Sequence, residues 1–289
     1  SVQLAALGVN EERLLTAPRE AVKTAVVELA QLASPLGRQA GLNVDRPTGN
    51  IVAALFEHET SRALEPHLHT HCIVFNATRD TEDRRWKALQ NYRMLTAQKY
   101  IENVYYHELA RALRNCGYTI ENFARGDFRI EEIDPQLCER FSKRHREIDE
   151  QTQQFLATNP DKSKGNVRDI REHLAHKLRS RKLHDVSPER LRALWKSQLR
   201  HGEQTILKKP VAVSQFDGKD SAAAVSWAEE HLFDRRSIVH EYELWRHALE
   251  TARGSALTLA ELKHETAARD YLREADGRLT RKDVLGREW

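Results

Sequence analysis

The chain has 289 residues, 40% of them hydrophobic and 31% charged, which marks a soluble, polar, core-forming protein of one large or two ordinary domains. No apolar run approaches the roughly 18 residues that a membrane helix needs, and no signal peptide is expected. Net charge is only +3, but the stretch from Lys162 to Lys209 carries fourteen Lys/Arg against five Asp/Glu, so +9 there and −6 elsewhere. Such a block is either the footprint of a polyanion or a solvated helical face.

In chain order, Val2 to Leu7 reads as a short apolar helix. Glu11 to Ala33 reads as a second, with Leu14, Leu15, Ala21, Val22, Val26, Leu29 and Ala30 at helical spacing and Pro18 near its start. Ser34-Pro35-Leu36-Gly37 closes it. Strands are expected at Ile51–Glu57 and Thr70–Thr78, with Arg79–Arg85 as a charged connection and Trp86–Leu89 as a short third strand. Thr96 to Asn115 is an amphipathic helix that Gly117 stops. Tyr118–Phe123 and Phe128–Glu131 read as a hairpin. The fold class is therefore α+β: a mostly antiparallel sheet of about five strands flanked by helices.

After Asp134-Pro135 the chain turns helical over Gln136–Thr158, Asn166–Leu183 and Pro188–His201; Ser187 caps the last of these, with Pro188 at its first position. Residues 202–219, with Pro210 and Gly218, read as a linker. Ala222–Phe233, His240–Arg253 and Leu259–Ala267 then form a small helical module over 220–289, closed by a strand or wing near Gly277. Three scattered cysteines without metal-type spacing fit a reducing cytoplasm. The chain starts at Ser1 inside a helix and its only methionine is Met94, so the numbering is expected to begin downstream of the natural start.

The chemistry concentrates between Phe56 and His71. His67, His69 and His71 alternate, so in a strand they share one face. His58 ends the preceding strand, and antiparallel pairing brings it towards them. Converging neutral imidazoles with open positions describe a catalytic divalent-metal site; a solvated His-rich turn is the bland alternative. Such an ion polarises phosphate, and the basic block points to nucleic acid. A tyrosine nucleophile would conserve the phosphodiester bond energy as a phosphotyrosine. Glu57 and Glu59 are the carboxylates available as general base for a different metal-dependent hydrolase.

His58-Glu59-Thr60-Ser61-Arg62, Pro66 and His69-Thr70-His71 resemble the metal-binding motif of conjugative relaxases of the TrwC/TraI type, within the HUH endonucleases. Trp86-Lys87-Ala88-Leu89, Glu108-Leu109-Ala110 with Gly117-Tyr118, Phe141-Ser142-Lys143-Arg144 and Leu191-Arg192-Ala193-Leu194-Trp195 extend the resemblance across roughly residues 1–200. It implies His58, His69 and His71 as ligands of a divalent metal (Mg, Mn or Zn). His67 stands where the family pattern has glutamine, which makes it outer-shell or DNA-facing. The implied function is metal-dependent nicking of single-stranded DNA at a plasmid transfer origin by tyrosine transesterification. Arg62, His67, Lys177, Arg179, Arg181 and Lys182 would contact DNA, with Trp195 as a further stacking candidate that reads better as core. Other relaxosome proteins and a secretion-system coupling protein are implied partners.

In the family the nucleophilic tyrosines lie near the N-terminus, which would place them upstream of residue 1. The tyrosines present (Tyr92, Tyr100, Tyr105, Tyr106, Tyr118, Tyr242, Tyr271) read as core residues, and this chain alone is expected not to nick. Residues 1–201 form the relaxase domain, with a basic helical extension over 162–201. The module after the linker resembles the start of a helicase region but carries no Walker motif. The alternative is a non-catalytic DNA-binding or partner-docking fragment.

Overall fold

The computed structural model describes residues 2–8, 12–39, 42–43, 46–123, 127–161, 166–177, 186–207 and 220–282. Helix α1 (Val2–Gly8) and the long α2 (Glu12–Gln31) open the chain, and Pro18 sits inside α2. Short strands β1 (Ser34–Pro35), β2 (Arg38–Gln39) and β3 (Leu42–Asn43) follow. Then come the two longest strands, β4 (Ala53–Thr60) and β5 (Pro66–Val74), and the shorter β6 (Thr78–Asp80), β7 (Arg85–Lys87) and β8 (Leu89–Gln90). Helices α3 (Tyr92–Thr96) and α4 (Gln98–Asn115) precede the hairpin of β9 (Ile120–Asn122) and β10 (Phe128–Ile130). Gly117, at a φ of 90°, supplies the left-handed residue that ends α4.

The helical stretch continues as α5 (Pro135–Arg140), α6 (Lys143–Thr158), α7 (Val167–Lys177), α8 (Pro188–Ser197) and α9 (His201–Leu207). The single helix expected over 136–158 is thus two, broken at Phe141-Ser142. Helix α9 occupies the start of the stretch read as linker, and residues 208–219 lie outside the described residues. The C-terminal part comprises α10 (Ser221–Phe233), β11 (Ile238–His240), α11 (Glu241–Thr251), α12 (Leu259–Ala268), β12 (Tyr271–Arg273) and β13 (Arg278–Arg281). The expected closing strand is real: β13 lies between β11 and β12, antiparallel to both.

The α+β class and the antiparallel pairing stand as expected. Among the described residues, however, the strands form five two-stranded ladders and one three-stranded sheet, and no continuous sheet of five. Lys87, in the Trp-Lys-Ala-Leu run, has a structural role. Its ammonium lies 2.9 Å from Asp80, which also receives Arg46 at 2.6 Å. Lys87, then Arg46, hold the Asp80 carboxyl below its ordinary range.

The chain divides into two compact units. One comprises residues 1–11, 57–70 and 131–209; the other comprises 12–56, 71–130 and 210–289. In the first, α1 packs on α8 and α9, and α6 packs on α7. Its buried residues include Leu4, Leu7, Leu137, Ile148, Leu191 and Trp195. In the second, α2 lies along α4, and one apolar cluster joins Ala25, Tyr100 and Val104 to Val225, Leu232, Leu244, Leu249, Leu262 and Leu279. Residues 220–282 therefore share a core with α2 and α4.

That shared core contains His107, fully buried on α4. Its Nε2–H donates to the Leu257 carbonyl at 2.7 Å, and the Gly254 N–H donates to its Nδ1 at 3.3 Å. Both nitrogens are satisfied only in the neutral ring. Burial, with the Arg111 and Arg253 guanidiniums adding, pushes its pKa down to about 4. Between the unfolded value of about 6.5 and that folded value, the unfolded chain binds a proton that the fold refuses. The contribution is present above about pH 6.5 and lost as pH falls to about 4, amounting to about 3 kcal/mol. Urea unfolding across that range should show the gap between the native chain and His107→Gln closing as pH falls. A gap independent of pH would refute the assignment.

Candidate metal centre

The histidines stand on β4 and β5, which pair with each other. Phe75 N–H donates to Val52 O at the base of this hairpin, and Ser61 N–H donates to Glu65 O at its turn, both at 2.9 Å. The turn is built by the residues between the histidines. Ser61 Oγ accepts the N–H of Ala63 at 3.2 Å and of Glu65 at 3.3 Å. Leu64 sits at a φ of 58°, an uncommon place for a leucine. Its carbonyl accepts the indole N–H of Trp195 at 2.7 Å.

Neighbouring helices hold the same turn. Glu65, only 6% exposed, accepts the backbone N–H of Lys143 at 2.7 Å and of Arg144 at 3.3 Å. It thereby satisfies orphan donors at the start of α6, where a carboxylate also suits the helix dipole. Ser142, which precedes that helix, makes no side-chain cap and donates its hydroxyl to Cys138 O instead. Arg192 of α8 grips both carboxylate oxygens of Glu59, one of them at 2.9 Å from Nε. Gln3 donates its amide to the Glu59 carbonyl. Both oxygens of Glu59 are thus engaged by a guanidinium, which gives it a structural role.

The His58 and His69 rings lie 5.3 Å apart between centroids, with their planes inclined by 21°. His67 and His69 lie 4.5 Å apart at 29°. His69 Nδ1 is 2.8 Å from the His67 carbonyl. A carbonyl only accepts, so Nδ1 is the donor, and in the neutral ring with that tautomer the lone pair is on Nε2. A backbone carbonyl behind a ring in this way is a common outer-sphere arrangement for a metal-ligating histidine. With metal–nitrogen bonds of about 2.1 Å, two imidazoles on one ion have centroids within about 6 Å, so the His58–His69 spacing fits. His67 is held towards its neutral form by burial and then by His69. His71 follows two residues on along β5. Among the described residues, no group of three donors is assembled around one point.

Of the expected DNA contacts, Arg62 is exposed in the turn and Lys177 is exposed in the last turn of α7. Arg179, Arg181 and Lys182 lie outside the described residues. Trp195 is 1% exposed and belongs to the core, so it offers no stacking face. The tyrosines are mostly packed as expected. Tyr100 donates to Glu28 at 2.7 Å, and burial raises its pKa; burial pushes Tyr105 up to about 12. Tyr106, Tyr242 and Tyr271 are raised as well, chiefly by burial. Tyr92 departs from the expectation and is 67% exposed on α3.

A helix-rich α+β chain with a histidine-bearing antiparallel hairpin has the architecture of a DNA-processing relaxase. Residues 1–201 match the family model described as TrwC relaxase. The chain belongs to that family. A metal-bound structure of the conjugative relaxase TrwC in complex with oriT DNA is 31% identical with a TM-score of 0.61, covering 74% of this chain and 70% of that one. TrwC complexed with a 27-mer DNA comprising the recognition hairpin and the cleavage site gives the same identity and TM-score, over 74% and 72%. The multifunctional conjugation protein TraI of Escherichia coli strain K12 is 39% identical over 110 residues, 38% of this chain and 6% of that protein. The chain thus corresponds to a small part of this curated relative. Among the described residues, no helix is long and apolar enough to cross a membrane.

Proposed function

We propose that this chain is the DNA-handling part of a conjugative relaxase, which nicks one strand at a plasmid transfer origin by tyrosine transesterification. The observation that carries the reading is the family match over residues 1–201 together with the paired His58 and His69 rings on the hairpin. His58, His69 and His71 would hold a divalent metal. When bound, such an ion supplies Lewis-acid neutralisation of charge on the scissile phosphate oxygens. The chain's own residues do the rest. Glu59, Arg192, Glu65 and Trp195 fix the turn that carries the histidines. Arg62 and His67 face the strand, and the Lys/Arg block that includes Lys177, Arg179, Arg181 and Lys182 holds its phosphates.

Tyr100, Tyr105, Tyr106, Tyr242 and Tyr271 are not assigned as nucleophile, because burial holds each of them away from the phenolate. That observation also supports a second reading, in which the chain binds DNA or docks a partner without nicking. The region after 220 is read as the start of a helicase region, and other relaxosome proteins and a secretion-system coupling protein as partners of the chain.

The test is binding of transfer-origin single strands across a salt series. Each phosphate contact adds about −0.7 to the slope of log affinity against log salt, so the basic block predicts a steep loss between about 50 and 200 mM. A flat salt response would overturn the DNA assignment. A labelled strand that becomes covalently attached to the protein would separate nicking from binding alone.

A further inference from the structure

A cavity of about 540 Å³ lies entirely within the unit of residues 12–56, 71–130 and 210–289. It shares no residue with the histidine hairpin. Helices α2, α3 and α4 form one side, and α11, α12 and the turn at Gly277 the other. Its size falls in the range of small-molecule sites, about 300–1,000 Å³.

The lining is aromatic and carries both acids and bases. Tyr92, Tyr242 and Trp245 all border it. Trp245 stands 5.5 Å from Tyr100 between ring centroids. Each carboxylate of the wall already has a cation: Glu28 receives Lys263 at 2.6 Å, Glu241 receives Arg273 at 2.7 Å and Asp276 receives Arg278 at 2.8 Å. With its acids matched in this way, and with Arg93 and His240 also on the wall, the cavity does not repel a nucleotide. Gln31 and Gln90 add side-chain amides to the same wall, and the Oε1 of Gln90 also accepts the Tyr92 N–H at 3.2 Å. Amides of this kind pair with the donor and acceptor edges of nucleobases. Tyr92 is 67% exposed on the first turn of α3, a placement that neither core packing nor the histidine site explains.

We propose that this cavity receives a nucleobase of bound single-stranded DNA, with Tyr92 as the stacking face at its mouth and Gln31 and Gln90 at the base edge. The inference rests on the DNA reading above and deepens it. It makes residues 241–277 part of the DNA-binding surface. Stacking of a base on an aromatic ring tolerates any sequence and adds affinity without adding a phosphate contact.

The experiment compares the full chain with Tyr92→Ala and Tyr92→Phe, binding a fluorescently labelled single strand at several salt concentrations. Tyr92→Ala should bind about tenfold more weakly, with an unchanged salt slope, because no phosphate contact is lost. Tyr92→Phe keeps the ring and should bind as the native chain does. Equal affinity in the native chain and Tyr92→Ala overturns the proposal, as does a lowered salt slope in Tyr92→Ala. Deoxynucleoside monophosphates form a second arm. If they bind the native chain and lose affinity in Tyr92→Ala while strand binding is unchanged, the cavity takes free nucleotides and the proposal is wrong. If the native chain binds no single strand at all, the DNA reading itself fails and the cavity assignment falls with it.

Discussion

His69→Ala should remove Mn²⁺ binding in calorimetry, whereas His67→Ala should leave it nearly intact. The two residues are neighbours on one strand face, so composition alone gives them equal standing. The proposed ligand set separates them, since it includes His69 and leaves out His67. In that reading His69 donates Nδ1–H to the His67 carbonyl at 2.8 Å and offers Nε2 to the metal, with the His58 ring 5.3 Å away. The carbonyl that fixes this tautomer belongs to the backbone and survives His67→Ala. Losing an outer partner of a metal ligand costs about 10–100-fold in affinity. Loss of the ligand itself should exceed that range. His58→Ala and His71→Ala are expected to follow His69→Ala. Equal Mn²⁺ binding by the native chain and His69→Ala, or binding by neither, would sink the metal assignment.

The elements with strong local signals were legible in the sequence. Helix α4 had its apolar stripe and Gly117; α8 had Ser187 and Pro188, and the Ser187 hydroxyl does accept the Arg190 N–H. The β4–β5 hairpin followed from two apolar runs flanking histidines. What escaped was set by long-range partners. The break between α5 and α6 arises where Glu65, nearly eighty positions earlier, takes the first N–H groups of α6. Nothing near Ser142 announces that. Glu59 was legible as a motif residue, but its partner Arg192 stands on a helix 133 positions away. The shared face of His67, His69 and His71 on β5 was readable because period-two alternation is local. The cavity beside Tyr92 was not, since its walls come from six separated segments. Residues 220–282 read as a separate module because their helices are amphipathic in their own right. Their shared cluster with α2 and α4 depends on Ala25, Tyr100 and Val104, which look like any other core positions in sequence.

Trp195→Ala should destabilise the chain by about 3–5 kcal/mol, the usual cost of deleting a buried aromatic ring. The indole is 1% exposed on α8, and its N–H is the hydrogen-bond partner of the Leu64 carbonyl. Two losses therefore coincide: the packing of the ring, and a partner for a carbonyl in a turn whose Leu64 already occupies a left-handed conformation. The same helix carries Arg192, so a shift of α8 also loosens Glu59 on β4. Trp195→Phe separates the two effects. It keeps most of the apolar ring and removes only the N–H, at a cost of about 1–3 kcal/mol. If the turn orients the histidines, Trp195→Phe should weaken Mn²⁺ binding while the protein remains folded, and the loss should be smaller than that caused by His69→Ala. Urea unfolding and calorimetry on the same samples check both statements. A Trp195→Ala cost below about 1 kcal/mol would contradict its place in the core, and unchanged Mn²⁺ affinity in Trp195→Phe would show that the turn holds its shape without the indole.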